Sequence, residues 1–226
     1  MVINTNMGAA RSARLLADST SKLNGALSRL ASGSKIVSPQ DDAAGLAVAT
    51  KFDAQISRNN AASNNVSSAL SYSQTQDGFL GKVSKALDRM SELMNLANDA
   101  TKSTNDKANY NTEFTDLKNY ISDLGTKEFN GVSLFDGSGL AVTKDSEGNT
   151  WTLNASDLND TDITSVIASG FTVTSTMSTL TTSIENVSTH RAQVGGNIQR
   201  LNLTNEQLGI LSENLQASVS RIKDVD

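Results

Sequence analysis

Apolar side chains recur along this chain in steps of three and four, and the recurrence marks out four helical stretches around one region that lacks it. In the first, the apolar-leaning positions are Leu16, Thr20, Leu23, Leu27 and Leu30, the stripe of a helix with one apolar face. "ASGSK" stops it, with Gly33 placed as a left-handed C-cap. "SPQDDAAG" then reads as a second start: Ser38 as N-cap, Pro39 at the first helical position, and Asp41 and Asp42 in the first turn against the helix dipole. The helix that follows runs from Ala43 to about Asn98, on the order of 80 Å at 1.5 Å per residue. Its pattern is weak through the Asn-rich stretch near residue 60, then tightens to Leu80, Val83, Leu87, Met90, Met94 and Ala97. A third helix carries Tyr110, Phe114, Leu117, Ile121 and Leu124 on one seam and ends at Gly125.

Residues 129–174 change character. Gly, Thr, Ser, Asp and Asn dominate, with short β-prone runs "VSLF", "LAVT" and "TWTLNA", the last after the turn "DSEGN". The most regular pattern of the chain follows: Met177, Leu180, Ile184, Val187, Arg191, Val194, Ile198, Leu201, Asn205, Leu208, Ser212, Leu215, Val219 and Ile222. All of these seam positions are apolar except Arg191, Asn205 and Ser212. A strict three-four alternation of that length predicts a coiled-coil partner, and the second helix is the candidate. The fold class expected is therefore mainly α: an elongated bundle of long coiled-coil helices with a small β element in the middle of the sequence.

Composition narrows the function. The chain has 226 residues, a formal net charge of −5, one proline, one tryptophan and no cysteine. Charges of both signs are interspersed and no basic block occurs, which argues against nucleic acid as a partner. No apolar run approaches the roughly 18 residues of a bilayer span, so membrane insertion is not expected. The N-terminus lacks the layout of a secretory signal, so export would take another route. His190 is the only histidine, and neither a Gly-rich phosphate loop nor an HExxH zinc motif is present. No cofactor, metal or catalytic residue is expected, and the chain does not read as an enzyme.

Particular stretches carry a resemblance. "VINTN" at 2–6, "ALSRLASGSKI" at 26–36, "DDAAGLAVATKF" at 41–52, "LDRMSELMNLAND" at 87–99, "FNGVSLFDG" at 129–137, "HRAQVGGNIQRL" at 190–201 and "ENLQASVSRIKDVD" at 213–226 resemble, in order, the conserved halves of bacterial flagellin. The resemblance implies a structural subunit of the flagellar filament, secreted through the flagellar export machinery with a secretion chaperone. It would assemble with itself into a helical homopolymer outside the cell and meet hook-associated and cap proteins at the filament ends. It also implies four parts: residues 1–37 as an inner-tube helix through Leu16, Leu23, Leu27 and Leu30; 38–128 as the N-terminal half of a shell rod; 129–175 as a small β region in place of variable outer domains; and 176–226 as the C-terminal half. The coiled-coil seam of that last part is Leu180, Ile184, Val187, Val194, Ile198, Leu201, Leu208, Leu215, Val219 and Ile222. Family members continue beyond "RIKDVD" into a helix that pairs with the first, so here the first helix is expected to lack that partner.

The resemblance further implies that Arg89, Leu93 and Glu113 contact the animal flagellin-sensing Toll-like receptor. Against this stands the plain reading of a solvated helix face. Ser91 stands where many recognised flagellins have a second arginine, which points to weaker binding. Arg191 is either a register device on the seam or a side chain reaching to its edge. Gly195 and Gly196, each costing about 1 kcal/mol in a helix relative to Ala, suggest close helix approach or a bend. The sequons "NAS" at 154–156 and "NDT" at 159–161, and the Ser/Thr-rich stretch 138–175, are candidate glycan acceptors. Two other functions compete: a hook-filament junction protein, disfavoured by "RAQVGG" and "SRIKD", and a secreted receptor-binding module that does not polymerise.

Overall fold

The structure is a computed structural model that describes residues 6–158, 164–166 and 173–225. Its elements are α1 (Met7–Ser32), α2 (Ala43–Asn98), α3 (Thr104–Gly125), the short strands β1 (Glu128–Phe129), β2 (Val132–Ser133), β3 (Ala141–Thr143) and β4 (Thr150–Thr152), and α4 (Val173–Lys223). The protein is mainly α, as its periodicity predicts. The chain forms two compact units: one from the residues up to Asn60 together with those from Gly209 onward, the other from Ala61 to Leu208.

In the first unit, the Asn6 side chain caps α1 by accepting from the Ala9 N–H at 3.1 Å, and Gly33 ends it in the left-handed conformation with φ 67°. The start of α2 differs from the sequence expectation. Ser38 is not its N-cap; that role falls to Asp42, whose carboxylate accepts from the Gly45 N–H at 2.8 Å. Residues 38–41 instead form a separate turn closed by the Asp41 N–H to the Ser38 carbonyl, 3.0 Å. The cause is Asp41, which is held by Arg29 of α1 at 2.5 Å and also accepts from the Val37 and Ser38 N–H groups.

The connector between α1 and α2 is anchored to the end of α4. Ser34 and Asp224 form an isolated antiparallel bridge, the Lys35 N–H donates to the Lys223 carbonyl at 2.6 Å, and the Val225 N–H donates to the Gly33 carbonyl at 3.2 Å. The Lys223 ammonium pairs with Asp53 of α2 at 3.2 Å, while Ile36, Ala49 and Leu215 supply the apolar burial of this unit.

The second unit holds the main core. Val83, Leu87, Met90 and Met94 of α2, Phe114, Ile121 and Leu124 of α3, and Leu180, Val187, Val194, Leu201 and Leu208 of α4 pack in one cluster. Here α2 and α4 run antiparallel: Asp77 meets Arg191 at 3.0 Å, and Ser63 donates to the Asn205 side-chain oxygen at 2.7 Å. The third polar seam position, Ser212 in the first unit, donates to the Asn60 side-chain oxygen at 3.4 Å. Every polar position of the α4 seam therefore faces a polar partner on α2, and polar pairs at defined heights fix register where uniform apolar packing would permit slippage.

The β region forms two separate hairpins, β1 with β2 and β3 with β4. Of the run "VSLF", Val132 and Ser133 are strand, while Leu134 and the following Phe135 leave it to enter the core. The first hairpin is held to α2 by the Tyr72 hydroxyl, which donates to the Ser133 carbonyl at 2.7 Å, and by Gln76, which donates to the Leu134 carbonyl at 2.6 Å. After β4, the buried Asn197 of α4 brackets the Asn154 backbone, donating to its carbonyl and accepting from its N–H, both at 3.3 Å.

Of the two readings of Gly195 and Gly196, close helix approach is not met among the described residues: a Cβ built on either meets nothing within 4 Å.

Candidate assembly and recognition surfaces

Two surfaces concentrate side chains whose placement the fold alone does not require. The first is α1. It buries no residue, and Leu16, Leu23, Leu27 and Leu30 are 54% to 74% exposed, as are Met7 and Leu15 in similar measure. A 26-residue helix is long enough to persist, but much of a helix's stability normally comes from burying its apolar face, and this face is bare. Local chemistry holds its C-terminal end: the Gly33 cap, the bridge to residues 223–225 and the Arg29–Asp41 pair. The Arg29 guanidinium beside Asp41, aided by the Ser38 and Val37 N–H groups, lowers that carboxyl to about 2.

The second surface lies on α2 and α3. Arg89 donates from Nε to Glu113 at 2.7 Å and from a terminal nitrogen to the other Glu113 oxygen at 3.2 Å, with Glu92 taking a third bond at 2.9 Å. This forked geometry is available to arginine and not to lysine. Glu113 holds the guanidinium above its ordinary pKa, Glu92 adding to the effect, and Arg89 in turn lowers that of Glu113. Both side chains stay nearly half exposed.

Helix α3 can present Glu113 because its apolar face is fixed. Phe114, Ile121 and Leu124 are buried, and a capping box starts the helix, Ser103 and Asp106 bonding reciprocally to each other's backbone. The Ser103 hydroxyl first, and then its N–H, keep the Asp106 carboxyl below the usual range.

Of the three residues expected to act together for a receptor, the structure brings Arg89 and Glu113 into contact and separates Leu93 from them. Leu93 is completely buried, so it is a core residue rather than a contact surface. It lies one helical turn beyond Arg89, and the α2 stripe alone could have assigned it to the core with its neighbours Met90 and Met94. Ser91 points its hydroxyl toward the Met177 sulfur at 3.6 Å.

The seam residues distribute as follows. Leu180, Val187, Val194, Leu201, Leu208 and Leu215 are buried, and Ile184, Ile198, Val219 and Ile222 are half-buried. Arg191 stays exposed and ion-paired with Asp77. Sequence reasoning missed the Arg200 guanidinium stacked 4.0 Å over the Trp151 ring and the contacts that anchor the 33–41 connector. A groove of about 260 Å³ beside the first hairpin, with Tyr72, Phe129, Val132 and Val142 among its walls, also escaped it. Asn154 of the first sequon is exposed, whereas "NDT" at 159–161 lies outside the described residues.

Comparison with known proteins agrees with this picture. Residues 3–139 match the family of the bacterial flagellin N-terminal helical region, and residues 177–226 match that of the C-terminal helical region. A flagellin of Halalkalibacterium halodurans is 33% identical over all of this chain and 86% of its own length. A flagellar filament 30.7 kDa core protein of Treponema maltophilum is 28% identical over all of this chain and 87% of its own. A solved structure ascribed to a flagellar hook-associated protein of Vibrio parahaemolyticus shares the fold, with a TM-score of 0.57 at 16% identity over 82% of this chain and 97% of that one. With both helical regions matched in order and a third of its residues shared with a near full-length relative, the chain belongs to the flagellin family, the non-enzymatic structural subunits of the bacterial flagellar filament.

Proposed function

We propose that this chain polymerises with itself through α1, with residues 1–37 as the inner helix of the assembly, and residues 38–128 and 176–226 as its shell. The supporting observation is the bare leucine stripe of α1: among the described residues no packing covers it, and an apolar row of this length left in water is a surface for another chain. Export through the flagellar secretion machinery with a chaperone, and contact with hook-associated and cap proteins, follow from this role. A hook-filament junction role is less well supported, since the hook-associated likeness is one of fold alone whereas the flagellin relatives share sequence over the whole chain.

The test is complementation of a flagellin-null bacterium with the gene carrying Leu23→Asp and Leu27→Asp together. Secreted subunit should match wild type in amount and melting temperature, while filaments seen by negative-stain microscopy and swimming should both be lost. Normal filaments from the double variant would refute the assignment of α1.

A second reading concerns recognition. We infer that the Arg89–Glu113 pair is part of a surface read by the animal flagellin-sensing Toll-like receptor; the exposed, forked ion pair favours it over an ordinary solvated face. Arg89→Ala should lower receptor signalling by soluble protein with unchanged helix content, and Arg89→Lys should fail to restore it. Full potency in both variants would remove this surface from consideration.

A further inference from the structure

The turn closing the first hairpin is made of Asn130 and Gly131, with φ of 52° and 76°, and Asn130 is the one non-glycine residue with a positive φ among the described residues. Asparagine followed by glycine suits a two-residue hairpin turn because both positions need the left-handed region. Both residues are exposed. They also lie outside the ladder, whose only pairs are Glu128 with Ser133 and Phe129 with Val132.

We propose that Asn130 is a site of spontaneous deamidation. The Gly131 backbone nitrogen, giving its proton to hydroxide or a buffer base, attacks Asn130 Cγ. The new C–N bond closes a five-membered succinimide, and the side-chain nitrogen leaves as ammonia after taking a proton from water. Water then opens the ring at one of its two carbonyls, leaving aspartate or, with one further carbon in the backbone, isoaspartate. No oxidant or reductant is involved.

Three features of the site favour the reaction. Glycine after the asparagine places no Cβ against the attacking nitrogen. Nothing lies within 4 Å of where such a Cβ would stand, so the forming ring has room. The two turn residues belong to neither ladder pair, so the turn can reach the backbone angle that ring closure needs while Ser133 and Leu134 stay held to α2. The sequence also contains its own control. The other Asn-Gly pair, Asn24–Gly25, sits inside α1, where the helical hydrogen-bond ladder engages the glycine nitrogen and ring closure requires unwinding a turn. Gly25 is as uncrowded as Gly131, so backbone restraint rather than space separates the two.

The product would add a carboxylate at the rim of the groove that Tyr72, Phe129 and Val132 help to line. In the isoaspartate form it would lengthen the turn and draw the Ser133 carbonyl away from the Tyr72 hydroxyl. For a subunit held in a filament outside the cell, that is a chemical record of age.

The folded chain, incubated at mildly alkaline pH and digested at intervals, allows both Asn-Gly peptides to be followed by mass spectrometry, with isoaspartyl methyltransferase labelling to mark the isoaspartate fraction. Asn130 should convert at least several-fold faster than Asn24, and faster as pH rises; in denaturant the two rates should converge. In Asn130→Gln, whose cyclisation needs a larger ring, the mass gain should vanish from this peptide while Asn24 keeps its slow rate. Equal rates at the two sites in the folded chain, or a rate at Asn130 indifferent to pH, would overturn the proposal.

Discussion

Helices α1 and α4 carry the same kind of apolar stripe and differ in what covers it. On α4, Leu180, Val187, Val194, Leu201 and Leu208 are buried in the core; on α1, Leu16, Leu23, Leu27 and Leu30 stand in solvent. The two also differ in punctuation. The α4 seam is interrupted by Arg191, Asn205 and Ser212, each answered by a polar side chain on α2, and such pairs specify one partner in one register. Among the described residues, the α1 stripe has no answering polar partner of this kind along its leucine row. An apolar period shows that a helix is to be covered; polar exceptions with matching partners show which segment of the same chain covers it.

The comparison is broken most forcefully through the core. Leu201→Ala or Leu208→Ala removes a buried side chain and should destabilise the protein by about 2 to 5 kcal/mol, read as a clear drop in melting temperature. Leu23→Ala or Leu27→Ala, which removes nothing buried, should leave the melt within about 0.5 kcal/mol of wild type. Equal losses from the two helices would erase the distinction.

Much of this was legible in the sequence and some was not. The bounds of α2, the seam of α4 and the Gly33 cap follow from local pattern, because apolar spacing and capping chemistry act over a few residues. The N-cap of α2 was placed four residues early, at Ser38 in place of Asp42, because Asp41, a good first-turn residue in isolation, is drawn away by Arg29 twelve positions earlier. The pattern is weak near residue 60 because Asn60 and Ser63 meet α4 by hydrogen bonds, a signal that apolar periodicity does not register. Leu93 was assigned to a surface although its stripe marks it as core.

The anchor between α1 and α2 supplies a subtler probe. Asp41 titrates at about 2 in the folded protein, below the roughly 3.9 of an unperturbed aspartate. Because the folded value is the lower one, the contribution of this carboxylate is fully present above the unfolded value and is lost as pH falls from about 4 through about 2. Arg29→Gln should raise the Asp41 carboxyl toward the unperturbed value, as followed by carbon-detected NMR titration. An unmoved titration would mean that the backbone N–H groups alone set it.

The smallest effect is expected at Arg191. Its pair with Asp77 is exposed, and such pairs contribute about 1 kcal/mol or less. Arg191→Ala should barely move the melt in low salt and not at all in high salt. A drop comparable to that of Leu201→Ala would make Arg191 a core determinant of register.

Hydrogen exchange measured on the soluble subunit and on its filaments tests the division of labour between the two helices most directly. The amides of α4 from Leu180 to Leu208 should be protected in both states, whereas those of α1 from Leu16 to Leu30 should exchange rapidly in the soluble chain and become protected only in the filament. Protection of α1 already in the soluble chain, or continued rapid exchange after assembly, would contradict the account of α1 as the surface that one subunit offers to others.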